Sequence, residues 1–169
     1  GNPKVVVAVV DEGVKYTHPD LAANMWTNTA ELNGAEGVDD DGNGYVDDIY
    51  GINTIEQNGN ISWDNIRYDS EGNYIGDVGH GTHVAGIIAA VNNNGEGISS
   101  IAGGSGNGDG VRIMSVQIFQ ENTSVANERI AAGIEYAADM GAAILQCSWG
   151  QSVIWISDEG YEKNTGSIY

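Results

Sequence analysis

The apolar residues of this chain come in short, dense runs separated by long polar stretches. Residues 5–10, VVVAVV, are an unbroken series of β-branched and small side chains, the pattern of a strand covered on both faces in a parallel sheet. The run stops at Asp11. Residues 80–91, HGTHVAGIIAAV, are small and apolar without proline and predict a buried helix, stopped by Asn92, Asn93, Asn94 and Gly95. VRIMSVQIF at 111–119 predicts a second buried strand. Ser124 is placed to cap a helix over about 125–140, with Ile130, Ile134, Ala137, Ala138 and Gly141 on its inner face and Gly141 closing it. AAILQCS at 142–148 predicts a third strand, so residues 111–148 read as a β-α-β unit with a right-handed crossover.

Between these elements, residues 33–51 turn to Gly, Asn and Asp, and residues 52–79 stay polar with scattered aromatics, which predicts long surface loops. The fold class expected is α/β, a doubly wound and mostly parallel sheet. Strands this apolar call for further strands and helices on their flanks. Residues 151–169 have weak periodicity and do not supply them. Residues 1–169 are therefore expected to be an incomplete part of a larger domain, with the 33–51 loop as an insertion.

Composition narrows the partners. The 169 residues carry a net charge of −18, which repels phosphate backbones and anionic headgroups, so no nucleic acid and no membrane is expected. Cys147 is the only cysteine, which leaves no intramolecular disulfide and no cysteine zinc site. There is neither an apolar run long enough for a membrane span nor a charged-then-apolar leader.

Two places concentrate chemistry. Asp11 ends a buried strand, where open α/β sheets put their functional side chains. His80 and His83 lie three apart at a glycine-bounded helix start, with Gly79 and Gly81 allowing close approach of another segment. His80, His83 and Asp11 also suit a zinc hydrolase, although the three-residue spacing and the lack of a glutamate base argue against it. The second place is residues 39–48, DDDGNGYVDD. Asp39, Asp41, Asn43 and Asp47 fall at positions 1, 3, 5 and 9 of an EF-hand-like loop, Gly44 at the turn, and Tyr45 where a carbonyl ligates. Tyr50 stands where the bidentate Glu belongs, so Asp48 or another residue must complete the shell. Calcium is the expected ion, since it takes many oxygens and relieves repulsion among crowded carboxylates. The sequons at Asn60 and Asn122 carry no information without a known secretory route.

Taken in order, these segments resemble a known family. VAVVDEGVKYTHPDL at 7–21 is similar to the aspartate segment of the subtilases, and GHGTHVAGIIAAVNNNG at 79–95 to their histidine segment. The resemblance runs on through IAGG at 101–104, the 111–119 strand and CSWG at 147–150. It implies a subtilisin-like fold and a serine endopeptidase acting on polypeptide substrates through an acyl-enzyme. Asp11 would be the triad acid, His80 the general base and His83 a packing residue. Ser148, Trp149 and Gly150 would be the edge along which substrate backbone pairs. Asp20, with Asn93 after the histidine helix, would form a second calcium clamp. A secreted or cell-surface (extracellular or periplasmic) location is implied as well.

Departures from the family are equally specific. Glu12 replaces the usual small hydroxyl residue, and its carboxylate would raise a neighbouring pKa unless it points to solvent. The Gly-Thr-Ser-x-x-x-Pro nucleophile motif and the oxyanion asparagine segment do not occur, and Gly166-Ser167 lacks the flanking Thr and Pro. The chain alone is therefore expected to be inactive and, with a sheet edge open, to self-associate. A catalytically dead, calcium-binding interaction module on the same fold is the alternative.

Overall fold

Burial of β1 (Val6–Asp11) on both faces organises the molecule. Its odd and even positions feed two separate cores. Val7 and Val9 pack with Ala85 and Ala89 of α2 (His80–Ala89), while Ala8 and Val10 pack with Tyr136 and Ala137 of α3 (Asn127–Asp139). Alternation of side chains along a strand turns one uninterrupted apolar run into two hydrophobic surfaces. Helices therefore lie on opposite faces of the sheet, which is the doubly wound arrangement. The structure, a computed structural model, describes residues 1–64, 71–73, 79–120 and 126–150.

β3 (Arg112–Gln117) and β4 (Ile144–Gln146) flank β1, and β2 (Gly51–Asn53) lies outside β3, giving the order β2-β3-β1-β4 with every pairing parallel. The β3-α3-β4 unit thus steps across β1 rather than joining neighbours. Ile144 and Leu145 of β4 are exposed, and among the described residues β4 pairs on one side only.

Several elements depart from their expected form. β2 falls in the stretch read as surface loop, yet all three of its residues are buried; a three-residue strand is too short to show a period. Two more short pieces, a 3-10 turn at Ala22–Asn24 and α1 (Thr29–Asn33), were not expected. α1 is capped by Asn28, whose side chain accepts a hydrogen bond from the Ala30 N–H. α2 ends at Ala89, with Ala90 already extended, so it stops before Asn92. In α3 the cap position is Ala126, with no side-chain cap bond; Ser124, like the Asn122 sequon and residues 151–169, lies outside the described residues.

The buried face of α3 is Gly133, Tyr136 and Ala137. Ile130 and Ile134 are half-buried and Ala138 is exposed. A side chain at Gly133 would bring its Cβ within 2.9 Å of Val116 Cγ1 and 3.2 Å of Ile118 and Thr54 methyls, so glycine there lets the helix settle directly on β3. Gly141, at φ +85°, then closes α3: its N–H reaches the Ala138 carbonyl and the Ala142 N–H that of Ala137, the paired bonds of a Schellman motif.

Gly133→Val should lower stability by about 1–3 kcal/mol through overpacking. The reading is a lower urea midpoint at unchanged slope in the full-length protein; a wild-type midpoint would show that α3 does not rest on β3 as described.

Candidate active site and acidic loop

Asp11 is the last residue of β1 and is 1% exposed. A carboxylate cannot be buried at that depth without partners, and it has three contacts. The Glu12 N–H donates to its Oδ1 at 2.8 Å, and His80 Nδ1 lies 2.8 Å from Oδ1 and 3.0 Å from Oδ2. Because an ionised carboxylate only accepts, Nδ1 carries the proton and Nε2 is left with the lone pair. The His80 side chain is 28% exposed against that buried acid.

Backbone geometry brings the two together. Gly79 starts α2 in the left-handed region at φ +82°, and a Cβ on Gly81 would lie 2.5 Å from the Gly13 carbonyl and 3.3 Å from Asp11 Cβ. Only a residue without a side chain lets the first turn of α2 reach the end of β1. The Lys15 N–H to Thr82 Oγ1 bond, at 2.9 Å, fastens the same two segments.

Other candidates fall differently. His83 is exposed and, with His18, Trp63 and Thr82, lines a cavity of about 500 Å³ along the outer side of α2, so it is not a core packing residue. Among the described residues no histidine joins a group of three candidate metal ligands, which removes the geometric basis of a zinc site at His80, His83 and Asp11. Glu12 is buried, not turned to solvent. Partial burial, and then the Asp11 charge, push the Cys147 thiol up, so it stays protonated and is no thiolate nucleophile.

Ser148 and Gly150 are exposed just beyond β4, with the Ser148 hydroxyl accepting from the Gln146 side chain at 2.9 Å. Trp149 turns inward. Its Nε1–H donates to the Val10 carbonyl at 2.8 Å, and its ring meets Phe119 edge-on at 5.8 Å. The segment after β4 is thereby tied to the residue preceding Asp11.

In the acidic loop the structure supplies the residue that sequence reasoning missed. Carboxylate oxygens of Glu31, Asp39 and Asp41 lie within 4.8 Å of one another. Glu31 comes from α1, upstream of the loop, and is buried; no spacing within residues 39–48 points to it. Asp39 accepts from the N–H groups of Gly42, Asn43 and Gly44, and the Gly44 bond foremost holds its carboxyl below the usual range. Asn43 Oδ1 accepts from the Tyr45 N–H at 2.8 Å. Asp47, at φ +53°, accepts from the Gly37 N–H and its own N–H donates to Glu31.

Asp48 faces inward, fully buried. It accepts from Tyr136 Oη at 2.5 Å, Asn43 Nδ2 at 2.9 Å and Asn28 Nδ2 at 2.9 Å. Burial pushes its carboxyl up, opposed by those three bonds. Burial, then the Asp48 bond, push the Tyr136 phenol far up, so it remains a donor. Asp48 therefore anchors the loop to α3, while Glu31, Asp39 and Asp41 form a group of oxygens that could hold a hard cation. Asp20 and Asn93 take distinct places. Asp20, buried, accepts from Asn94 Nδ2 at 2.7 Å and the Ile98 N–H at 3.0 Å; Asn93 instead takes the left-handed turn position at φ +62°.

Known proteins resemble this chain in sequence and in fold. A sequence model of the subtilase family (Peptidase_S8) matches residues 2–168. Subtilisin-like protease 1 of Plasmodium vivax is 46% identical over 99 residues, 59% of this chain and 14% of that protein. Halolysin of Haloferax mediterranei is 34% identical over 89% of this chain and 22% of its own length. Thermitase of Thermoactinomyces vulgaris is 33% identical over 87% and 38%. The chain thus spans well under half of these relatives. The fold is shared with an Aeromonas sobria serine protease solved in complex with a chaperone, at TM-score 0.54 and 21% identity, over 96% of this chain and 22% of that one. No described helix is long and apolar enough to cross a membrane.

Tyr136→Phe should destabilise the full-length protein by about 1.5–3 kcal/mol, because it strips a donor from a buried carboxylate. Chemical denaturation measures this, and an unchanged midpoint would show that Asp48 does not depend on Tyr136.

Proposed function

This chain belongs to the subtilase family, and from that premise we propose that Asp11 and His80 are the acid and base of a serine endopeptidase whose nucleophile is not among these 169 residues. The observation that carries the reading is the double contact between the buried Asp11 carboxylate and His80 Nδ1. With the proton on Nδ1, Nε2 is the basic nitrogen that would take the proton of a serine hydroxyl as that oxygen attacks the scissile carbonyl. The imidazolium formed is stabilised by Asp11 and returns the proton to the leaving amine, giving an acyl-enzyme that water then hydrolyses.

Ser148, Trp149 and Gly150 are the edge for an extended polypeptide substrate. This is supported by their place beyond the exposed strand β4 and by the indole bond that fixes them beside Val10. Calcium is the ion that fits the oxygen group of Glu31, Asp39 and Asp41, with Asn43, Asp47 and the Tyr45 carbonyl nearby in the loop; Asp20 is the centre of a second clamp. When bound, calcium would supply positive charge to a cluster that otherwise repels itself. A secreted or cell-surface location accords with a calcium-requiring protease.

A fluorophosphonate serine probe, applied in calcium to the 169-residue chain and to the full-length protein, tests the central claim. Labelling of the full-length protein alone is expected. Labelling of neither would support a catalytically dead calcium-binding module, and labelling of the short chain would show that it holds a reactive serine.

Glu31→Gln should weaken calcium binding at the loop about tenfold or more by removing a charge from the group. Calorimetric titration of the full-length protein reads it, and unchanged affinity would place the ion elsewhere. The isolated chain should self-associate through the β4 edge, so a clean monomer in sedimentation at high concentration would count against that contact.

A further inference from the structure

Gln117 is a fully buried carboxamide at the end of β3. Burying such a group is costly unless it is hydrogen-bonded, and a methionine would fill the same volume without that demand. Its contacts are specific. Oε1 accepts from the Ser62 N–H at 2.8 Å, and Nε2 donates to Ser62 Oγ at 2.9 Å and to the Phe119 carbonyl at 3.1 Å. The Phe119 bond fixes which way the amide faces, since the reversed amide would set donor against the Ser62 N–H. Gln117 therefore grips both the backbone and the side chain of one residue in a distant loop.

That residue sits against the turn following Asp11. Gly13 is at φ +104°, and a Cβ there would lie 2.2 Å from the Ser62 carbonyl. Beyond Gly13, its own carbonyl abuts Gly81, the residue after His80. Ser62, Gly13 and Gly81 are thus stacked backbone on backbone with no room for a methyl group at either glycine. Gln117 itself is paired in register with Asp11, and the Ile118 N–H donates to the Asp11 carbonyl at 2.8 Å. A second buried polar side chain of β3, Ser115, accepts from the Val14 N–H at 3.0 Å.

We propose that Gln117 is a positioning residue, whose clasp on Ser62 presses the 11–13 turn to the depth at which the Asp11 carboxylate meets both hydrogen-bonding distances to His80 Nδ1. The assignment rests on the Asp11–His80 reading given above. It differs from a role in stability alone, because the atoms it controls belong to the acid that orients the base. Small misplacements of such a group cost up to about a hundredfold in rate.

The test uses the full-length protein carrying Gln117→Met, which keeps the volume and removes every bond. Peptide hydrolysis should lose about tenfold or more in kcat with KM within about twofold, and the downfield proton resonance of His80 Nδ1–H should move or broaden. A folded Gln117→Met protein with wild-type kcat and an unmoved resonance would overturn the proposal, leaving the amide a structural filler. Should Gln117→Met fail to fold, Ser62→Ala removes one bond of the clasp and leaves the backbone, and the same two readings apply at smaller size. If the wild-type protein hydrolyses no peptide, the protease reading fails while the resonance still decides the clasp.

Discussion

Everything in this molecule depends on the parallel pairing of β1 with β3. It is the longest register in the sheet, six residue pairs from Val6 opposite Arg112 to Asp11 opposite Gln117, and both strands are buried from their second residue onward. Pairing satisfies the backbone of strands that water cannot reach. It also delivers two polar side chains, Asp11 and Gln117, side by side at the same end of the sheet. Buried there, each must find partners, and those partners, His80 for one and Ser62 for the other, bring the remaining walls of the site with them.

What was legible in the sequence follows from the same contrast. The strands at 5–10 and 111–119 stand out because burial on both faces forces continuous apolar runs, and His80 stands out because glycines bracket it. β2 was not legible, since three residues such as Gly51, Ile52 and Asn53 carry no period. Nor was Glu31: it is one acid among many, and only the packing of a five-residue helix beside the loop gives it a role. Spacing placed Asp48 with the ligands, but its contact with Tyr136 is a meeting of residues far apart in sequence, and no local pattern encodes it. The same holds for the contact of the Asn94 side chain with Asp20, made while Asn93 takes the left-handed turn.

The two halves of the structure use polarity in opposite ways. At the sheet end a few buried polar groups are each saturated by fixed neighbours, so geometry is tightly determined. In the acidic loop many carboxylates sit close together, and backbone N–H groups answer only part of their charge. Asp48 joins the two regimes. On one side it belongs to the loop through Asn43 and Asn28, and on the other to the core through Tyr136, so the acidic loop is moored to the helix that covers the second face of β1.

The Asp39 turn also bears on how the loop could be recognised as an extended strand. Recognition by strand addition reads a chain through the main-chain donors it can offer to an edge. At residues 42, 43 and 44 those donors already point at Asp39. An exposed, glycine-rich segment is ordinarily a preferred place for proteolytic nicking. Here the Asp39 carboxylate already holds those donors, so the turn has few main-chain groups left to offer to an edge strand.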